Sequence, residues 1–226
     1  MWSRPSEDLC PPVLSAFTVD VDVRGPGAMD AYASRLRSGI EAGVTLAAID
    51  SFDTDELSES TVPEWLAEIS SSSPNPSILP AEVVDGRRRY VSAQEEEAWE
   101  LQDWLWCFEP GKRQWEWWDV TAAGGTHLLI WLDSKGESAY PCEDVRWLAY
   151  VAGAWSVSGP IILPRIVWEV QTSLGLPHVG CWPLPQPAQV SSEGSGETQL
   201  DVGGDDQPHP AITGIRRAEP PSPGPA

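Results

Sequence analysis

Cys142, His127 and Asp133 sketch a nucleophile, a base and an orienting acid. Pro141-Cys142-Glu143-Asp144 reads as the start of a helix, where the macrodipole favours a thiolate. His127 and Asp133 fall on one face of the preceding strand, so a Cys–His–Asp set can be drawn for nucleophilic catalysis. Three features oppose it. Glu143 and Asp144 repel a thiolate. His127 and Asp133 lie six residues apart, roughly 20 Å along an extended strand. The chain holds only three histidines, and His209 falls in the tail. Cys142 and His127 therefore stand as the catalytic candidates of a second reading, a cysteine-dependent enzyme.

Another group is aromatic. Gln114–Thr121 alternates as a strand, with Trp115, Trp117 and Asp119 on one face and Glu116, Trp118 and Val120 on the other. If exposed, an aromatic pair beside a carboxylate suits a sugar ring, or a lysine or arginine held by cation–π contact. If buried, the same rings are the core of a small sheet, and this is the preferred reading. Asp50, Asp53, Asp55 and Glu56 form a dense carboxylate run. It begins the alternating oxygen pattern of a calcium loop, but Leu57 and the missing glycine break it. His178 and Cys181 are spaced like half a metal site that nothing nearby completes. No phosphate loop, dinucleotide fingerprint or nucleophile elbow is present. The expectation is no metal and no cofactor.

The chemistry of partners follows from charge. The 226 residues carry a formal charge of -20. Such a field repels nucleic acid and anionic lipid and steers in basic partners. Four cysteines, far apart and without a C-x-x-C pair, argue against a disulfide framework and for reduced thiols in a cytoplasm. Only two lysines, Lys112 and Lys135, accompany 22 prolines and many alanines and glycines, as in translation of a GC-rich bacterial gene. The N-terminus lacks an apolar run long enough for a signal peptide. The uncharged stretch from Trp147 to Pro164 nears the length of a membrane span, but Ser156, Ser158, Gly159, Pro160 and Pro164 break it. A buried helix followed by a strand is expected there. These features favour a non-enzymatic acidic cytoplasmic binding protein that docks a basic protein. An immunity or antitoxin role fits by charge and size alone. Contact residues would be Asp50, Asp53, Asp55 and Glu56, with Trp115, Trp117 and Asp119 if that face is exposed. A structural or scaffold protein is the third reading.

The elements that position these groups suggest an α+β fold, a mostly antiparallel sheet with helices packed on one side and a tryptophan-rich core. Residues 1–12 are expected to be flexible. Residues 13–182 form a single domain, with a possible sub-boundary near 71–78. Residues 183–226 have the Pro/Gly/Ser-rich composition of a disordered acidic tail. Val13–Val23 alternates as a strand, with Val19, Val21 and Val23 inward. Met29, Ala33, Leu36 and Ile40 mark a helix over 29–42 that stops at Gly43, and Val44–Ile49 reads as a strand. Thr61-Val62-Pro63-Glu64 resembles a capping box opening a short helix. AEVVDGRRRYVS reads as a hairpin turning at Asp85-Gly86, with Arg87, Arg88 and Arg89 on a solvated strand or, less favoured, an anion clamp. Ser92-Ala93-Gln94-Glu95 looks like a second capping box, opening a helix through Phe108. His127–Asp133 is the return strand, with Leu128, Ile130 and Leu132 on one face. Ser138–Tyr140 could extend the sheet. The helix after Cys142 is apolar nearly all round and so central, and Ile161–Leu163 and Ile166–Val170 close the sequence of strands.

Overall fold

The computed structural model describes residues 10–21, 27–49 and 52–174. The expectations for the tail, for residues 1–9 and for Asp50, His178, Cys181 and His209 lie outside the described residues. The fold is α+β. Strands β1 (Val13–Val21), β2 (Glu116–Gly124), β3 (His127–Asp133), β4 (Ala154–Pro164) and β5 (Thr172–Ser173) form one sheet in the order β4-β1-β3-β2-β5. Every pairing is antiparallel.

Alternation decides what each face of the sheet does. Phe17, Val19 and Val21 of β1 and Leu128, Ile130 and Leu132 of β3 enter the larger core. There they meet α1 (Ala28–Ile49), α2 (Glu64–Ile69), α3 (Ala81–Gln94), α4 (Leu101–Trp106) and α5 (Glu143–Val151). Leu14 and Ala16, with Leu129 and Trp131, face the other way into a smaller cluster. That cluster is closed by Trp168 of α6 (Arg165–Glu169). Among the described residues no helix is long and apolar enough to cross a membrane. The uncharged stretch is α5 followed by β4, as its serines, glycine and prolines suggest.

Strand β2 breaks its own alternation. Trp117 pairs with Leu132 and Asp119 with Trp131, so Trp118 is an extra residue on this strand. A bulge leaves two residues opposite one and turns the side chains beyond it to the other face. Trp115 and Trp117 therefore stay in the helix-side core, while Asp119 points with Trp118 toward Trp168. The face shared by Trp115, Trp117 and Asp119 does not exist. Trp115 is 2% exposed and Trp117 is 7% exposed, so they form no open platform.

Six local readings need correction. Helix α1 runs through Gly43 into Val44–Ile49, because Leu36, Ile40, Val44 and Ala47 continue one buried stripe. A Cβ at Gly43 would lie 2.5 Å from the Phe108 ring, so this glycine admits Phe108 rather than ending the helix. Residues 81–94 are helix α3, not a hairpin. Val83, Gly86 and Tyr90 recur at spacings of three and four and form its buried face. A Cβ at Gly86 would stand 1.9 Å from the carbonyl oxygen of Tyr150, so this glycine marks the close crossing of α3 and α5. The arginine cluster fans round the helix. Arg87 donates to the carbonyls of Ile69 and Ser71, Arg88 to Asp85, and Arg89 to the carbonyl of Ala154.

The second capping box is spent inside α3, which ends at Glu95 in the left-handed region, and α4 starts afresh at Leu101. Residues 166–169 belong to α6, which follows Pro164, and not to a strand. Ser138–Tyr140 adds no strand; Tyr140 instead donates its hydroxyl to Ser15 over 2.7 Å. The first box also differs, since Pro63 is the N-cap of α2 and no side chain caps it.

The Gly86 crossing makes a direct prediction. Gly86→Ala must push α3 off α5 and should destabilise the protein by roughly 2–4 kcal/mol, while gaining under about 1 kcal/mol of helix propensity. Gly111→Ala, where a Cβ meets only the tip of Glu109 at 4.0 Å, should be near neutral. Urea denaturation of both variants checks this.

Candidate functional site

The N-terminus of α5 is where chemistry-bearing residues converge. Cys142 is its N-cap, and Glu143 and Asp144 fill its first turn. Trp104 fixes this end from α4 by donating its indole N–H to the backbone carbonyl of Asp144 over 3.0 Å. The chain then turns after α4, and Lys112, Arg113 and Trp115 come back alongside. Together they enclose a cleft of about 650 Å³. Trp99, Trp106 and Trp115 line it, with Cys107, Cys142, Glu96, Glu143 and Asp144. This falls in the size range of small-molecule sites, which are apolar with few convergent polar groups.

Its cations already lie on aromatic faces. Lys112 Nζ stands 5.5 Å from the centre of the Trp106 ring, and Arg113 lies 5.3 Å from that of Trp115. Lys112 also pairs with Glu109 at 2.7 Å. Burial depresses the Arg113 pKa, and the charges of Glu116 and Asp144 oppose that shift. Asp144 is the group most altered by its place. Burial pushes its carboxyl up to about 7, against the Val145 and Asp144 amides, the Trp115 indole and the Arg113 charge. Its Oδ2 is sealed from water and accepts no hydrogen bond.

The cysteines are the reverse of activated. Cys142 is buried, and its thiol is pushed up to about 12 by that burial and by Glu143 and Asp144, with Arg146 opposing. Cys107 is also raised to about 12, by burial and by Asp144 and Asp103. His127 does not reach this cleft. It lies at the far end of β3, exposed, against Asp20. Asp133 accepts from the Lys135 amide over 2.7 Å and orients no imidazole. The structure thus separates the three members of the drawn triad.

Of the acidic run, Asp53, Asp55 and Glu56 are exposed. The loop that carries them is tied to α4 on both sides. Phe52 packs edge-on against Trp106 at 5.6 Å, and the Leu57 amide donates to Gln102 over 2.9 Å. The carboxylates thereby sit on a segment anchored to a wall of the cleft. Asp119 is buried, and it accepts from the indole of Trp168 and the hydroxyl of Ser173, each over 2.8 Å. Its role is internal. Among the described residues no group of three or more His, Cys, Asp or Glu side chains could hold a metal ion.

In the sequence Asp144 reads as a first-turn acid that opposes a Cys142 thiolate, Trp99 and Trp106 as rings off the core stripe of their helix, and Arg113 carries no assigned role. Their convergence depends on the chain reversal after α4, which has no motif. An acid in a helix's first turn, flanked by apolar positions, was the one available signal. No family model, curated protein or solved structure matches this chain.

The raised Asp144 pKa has a consequence for stability. In the folded state the carboxyl keeps its proton up to about pH 7, whereas in the unfolded chain it loses it near the ordinary 3.8. Between those values the folded state holds more protons, so stability falls as pH rises through the window and stays lowered above it. Asp144→Asn cannot ionise. It should be more stable than the parent at about pH 8.5, by an amount on the order of 2–4 kcal/mol, and the gain should shrink toward about pH 5.5. A pH-independent difference in urea denaturation would contradict this.

Proposed function

We propose that this protein is a non-enzymatic acidic binding protein that docks a basic protein partner. The observation that carries the reading is the disposition of charge. Seven described cations stand against carboxylates within the chain. Arg35 pairs with Glu82 at 3.1 Å, Arg88 with Asp85 at 2.7 Å, Arg146 with Glu143 at 2.9 Å and Arg165 with Glu169 at 2.8 Å. Lys112 and Lys135 pair with Glu109 and Glu116, and Arg89 lies at 4.0 Å from Asp85. Against Asp53, Asp55 and Glu56 no cation stands among the described residues, so their field reaches solvent. A cationic surface is the complement of such a field, and attraction at that range speeds encounter and fixes register. Asp50 extends the run in sequence. Trp115, Trp117 and Asp119, being buried, leave the contact set.

Size and charge, with no activated thiol among the described residues, are those of an immunity protein or antitoxin, by analogy. A bacterial cytoplasm, where Cys107 and Cys142 stay reduced, belongs to the same reading, and nucleic acid is disfavoured by charge. The enzyme reading is less favoured, since Cys142 is held as a thiol and no histidine stands beside it among the described residues.

Affinity capture from native lysate, eluted in rising salt and identified by mass spectrometry, tests the proposal. A basic protein should leave at intermediate salt, and the Asp53→Asn/Asp55→Asn/Glu56→Gln variant should bind it at least about tenfold more weakly. Cys142→Ala should bind it unchanged. Capture that the triple variant leaves intact, or that salt does not weaken, would overturn the docking surface.

A further inference from the structure

We infer that the tryptophan cleft is a binding site for a small zwitterion with a large apolar side chain, in the chemical class of free aromatic or large aliphatic α-amino acids. This goes beyond docking of a basic protein and rests on other residues. The cleft presents two groups of opposite sign, Arg113 and Asp144, which feel each other's charge but are joined by no ion pair among the described residues. Arg113 Cζ lies 5.3 Å from the centre of the Trp115 ring, and its guanidinium has no hydrogen bond or ion pair among the described residues. A guanidinium with its donors free can take a carboxylate in bidentate fashion. On the α5 wall, Asp144 is 3% exposed and its Oδ2 accepts nothing. A buried acceptor without a donor costs free energy, and an ammonium would satisfy it. Asp144 lines the cleft, and because the terminal torsion of aspartate is broad, binding requires a turn of the carboxyl that brings this oxygen to the ligand.

The remaining walls select the body of the ligand. Trp99, Trp106 and Trp115 offer ring faces and edges, and about 650 Å³ accommodates an aromatic side chain with room for water. The Trp99 indole is held by donating to the Tyr90 hydroxyl over 2.7 Å, so this wall is fixed in place. Ligands of one sign fit worse. A plain cation meets the like charges of Lys112 and Arg113 on the cleft wall. A plain anion meets Glu96, Glu143 and Asp144 within the cleft and a chain charge of -20 outside it. A ligand of zero net charge escapes that repulsion while offering the guanidinium a carboxylate and the Asp144 Oδ2 a donor.

Calorimetric titration of the full chain with three probes of one skeleton tests this: L-phenylalanine, phenethylamine, which lacks the carboxylate, and 3-phenylpropionate, which lacks the ammonium. Phenylalanine should bind at least about tenfold tighter than either. Arg113→Gln should lower its affinity to that of phenethylamine, and Asp144→Asn to that of 3-phenylpropionate. Near-UV circular dichroism confirms that each variant is folded, and Trp106→Phe, which keeps both charged groups, should retain the ranking. Equal or tighter binding of phenethylamine would replace the zwitterion site with a pocket for a basic side chain. Equal binding of 3-phenylpropionate would make it an anion site. No heat from phenylalanine, tryptophan or leucine with a folded protein would reject the site. Each of these outcomes leaves the docking surface untouched, since that stands on salt-dependent capture and on other carboxylates.

Discussion

Trp118 is one residue more than the β2–β3 ladder can pair, and the fold depends on how that excess is absorbed. The bulge keeps Trp115 and Trp117 under the helices and sends Asp119 to the opposite face. There Asp119 accepts hydrogen bonds from Trp168, Ser173 and the Val120 amide. One carboxylate thus ties α6 and β5 to the middle of the sheet. Thr121, next on the same face, accepts from Trp131 over 2.8 Å and meets Gln171. The second face is small, and this polar seam under two indoles holds its cover in place. Buried polar groups stabilise only when satisfied, and here most partners come from residues distant in sequence, on α6, β5 and the segment between them.

The helix side follows from the same arrangement. With Trp115 turned inward, its indole approaches Asp144 at the start of α5, and Phe108 packs edge-on against it at 5.8 Å. Phe108 in turn needs the gap at Gly43, and α5 needs the gap at Gly86 to lie against α3. Missing side chains make room for neighbours here: Gly43 for the Phe108 ring, Gly39 for the Leu148 side chain and Gly86 for the backbone of α5. The cleft is the space that this packing leaves between α4, the returning chain and α5. Its polar groups lie there because the first turn of α5 carries acids, as helix N-termini favour.

The sheet was legible because alternation reports burial directly. Val19 and Val21, and Leu128, Ile130 and Leu132, point where period two says they should. The tryptophan strand misled for a definite reason: alternation assumes no bulge, and a bulge has no sequence signature in a run of aromatics. Asp85-Gly86 and Gly43 misled for another. A glycine serves a turn by its backbone freedom and a helix crossing by its lack of a Cβ, and only the second operates here. Helical spacing at Val83, Gly86 and Tyr90, and at Leu36, Ile40 and Val44, was present in the sequence and outweighs those glycines. The N-cap role of Cys142 was readable; its raised pKa was not, because burial is a property of packing. The placing of Arg113 and Asp144 on one cleft was beyond reach, since it depends on two segments 31 residues apart.

The coupling between Asp119 and Trp168 is the most direct test of this account. A double-mutant cycle with Asp119→Asn and Trp168→Phe, read by urea denaturation, isolates the hydrogen bond that the bulge makes possible. The structure predicts an interaction energy of about 1–3 kcal/mol, as for contacting residues in one polar network. Additivity within about 0.5 kcal/mol would mean that the two side chains act independently. The bulge at Trp118 would then not be what holds the second face of the sheet.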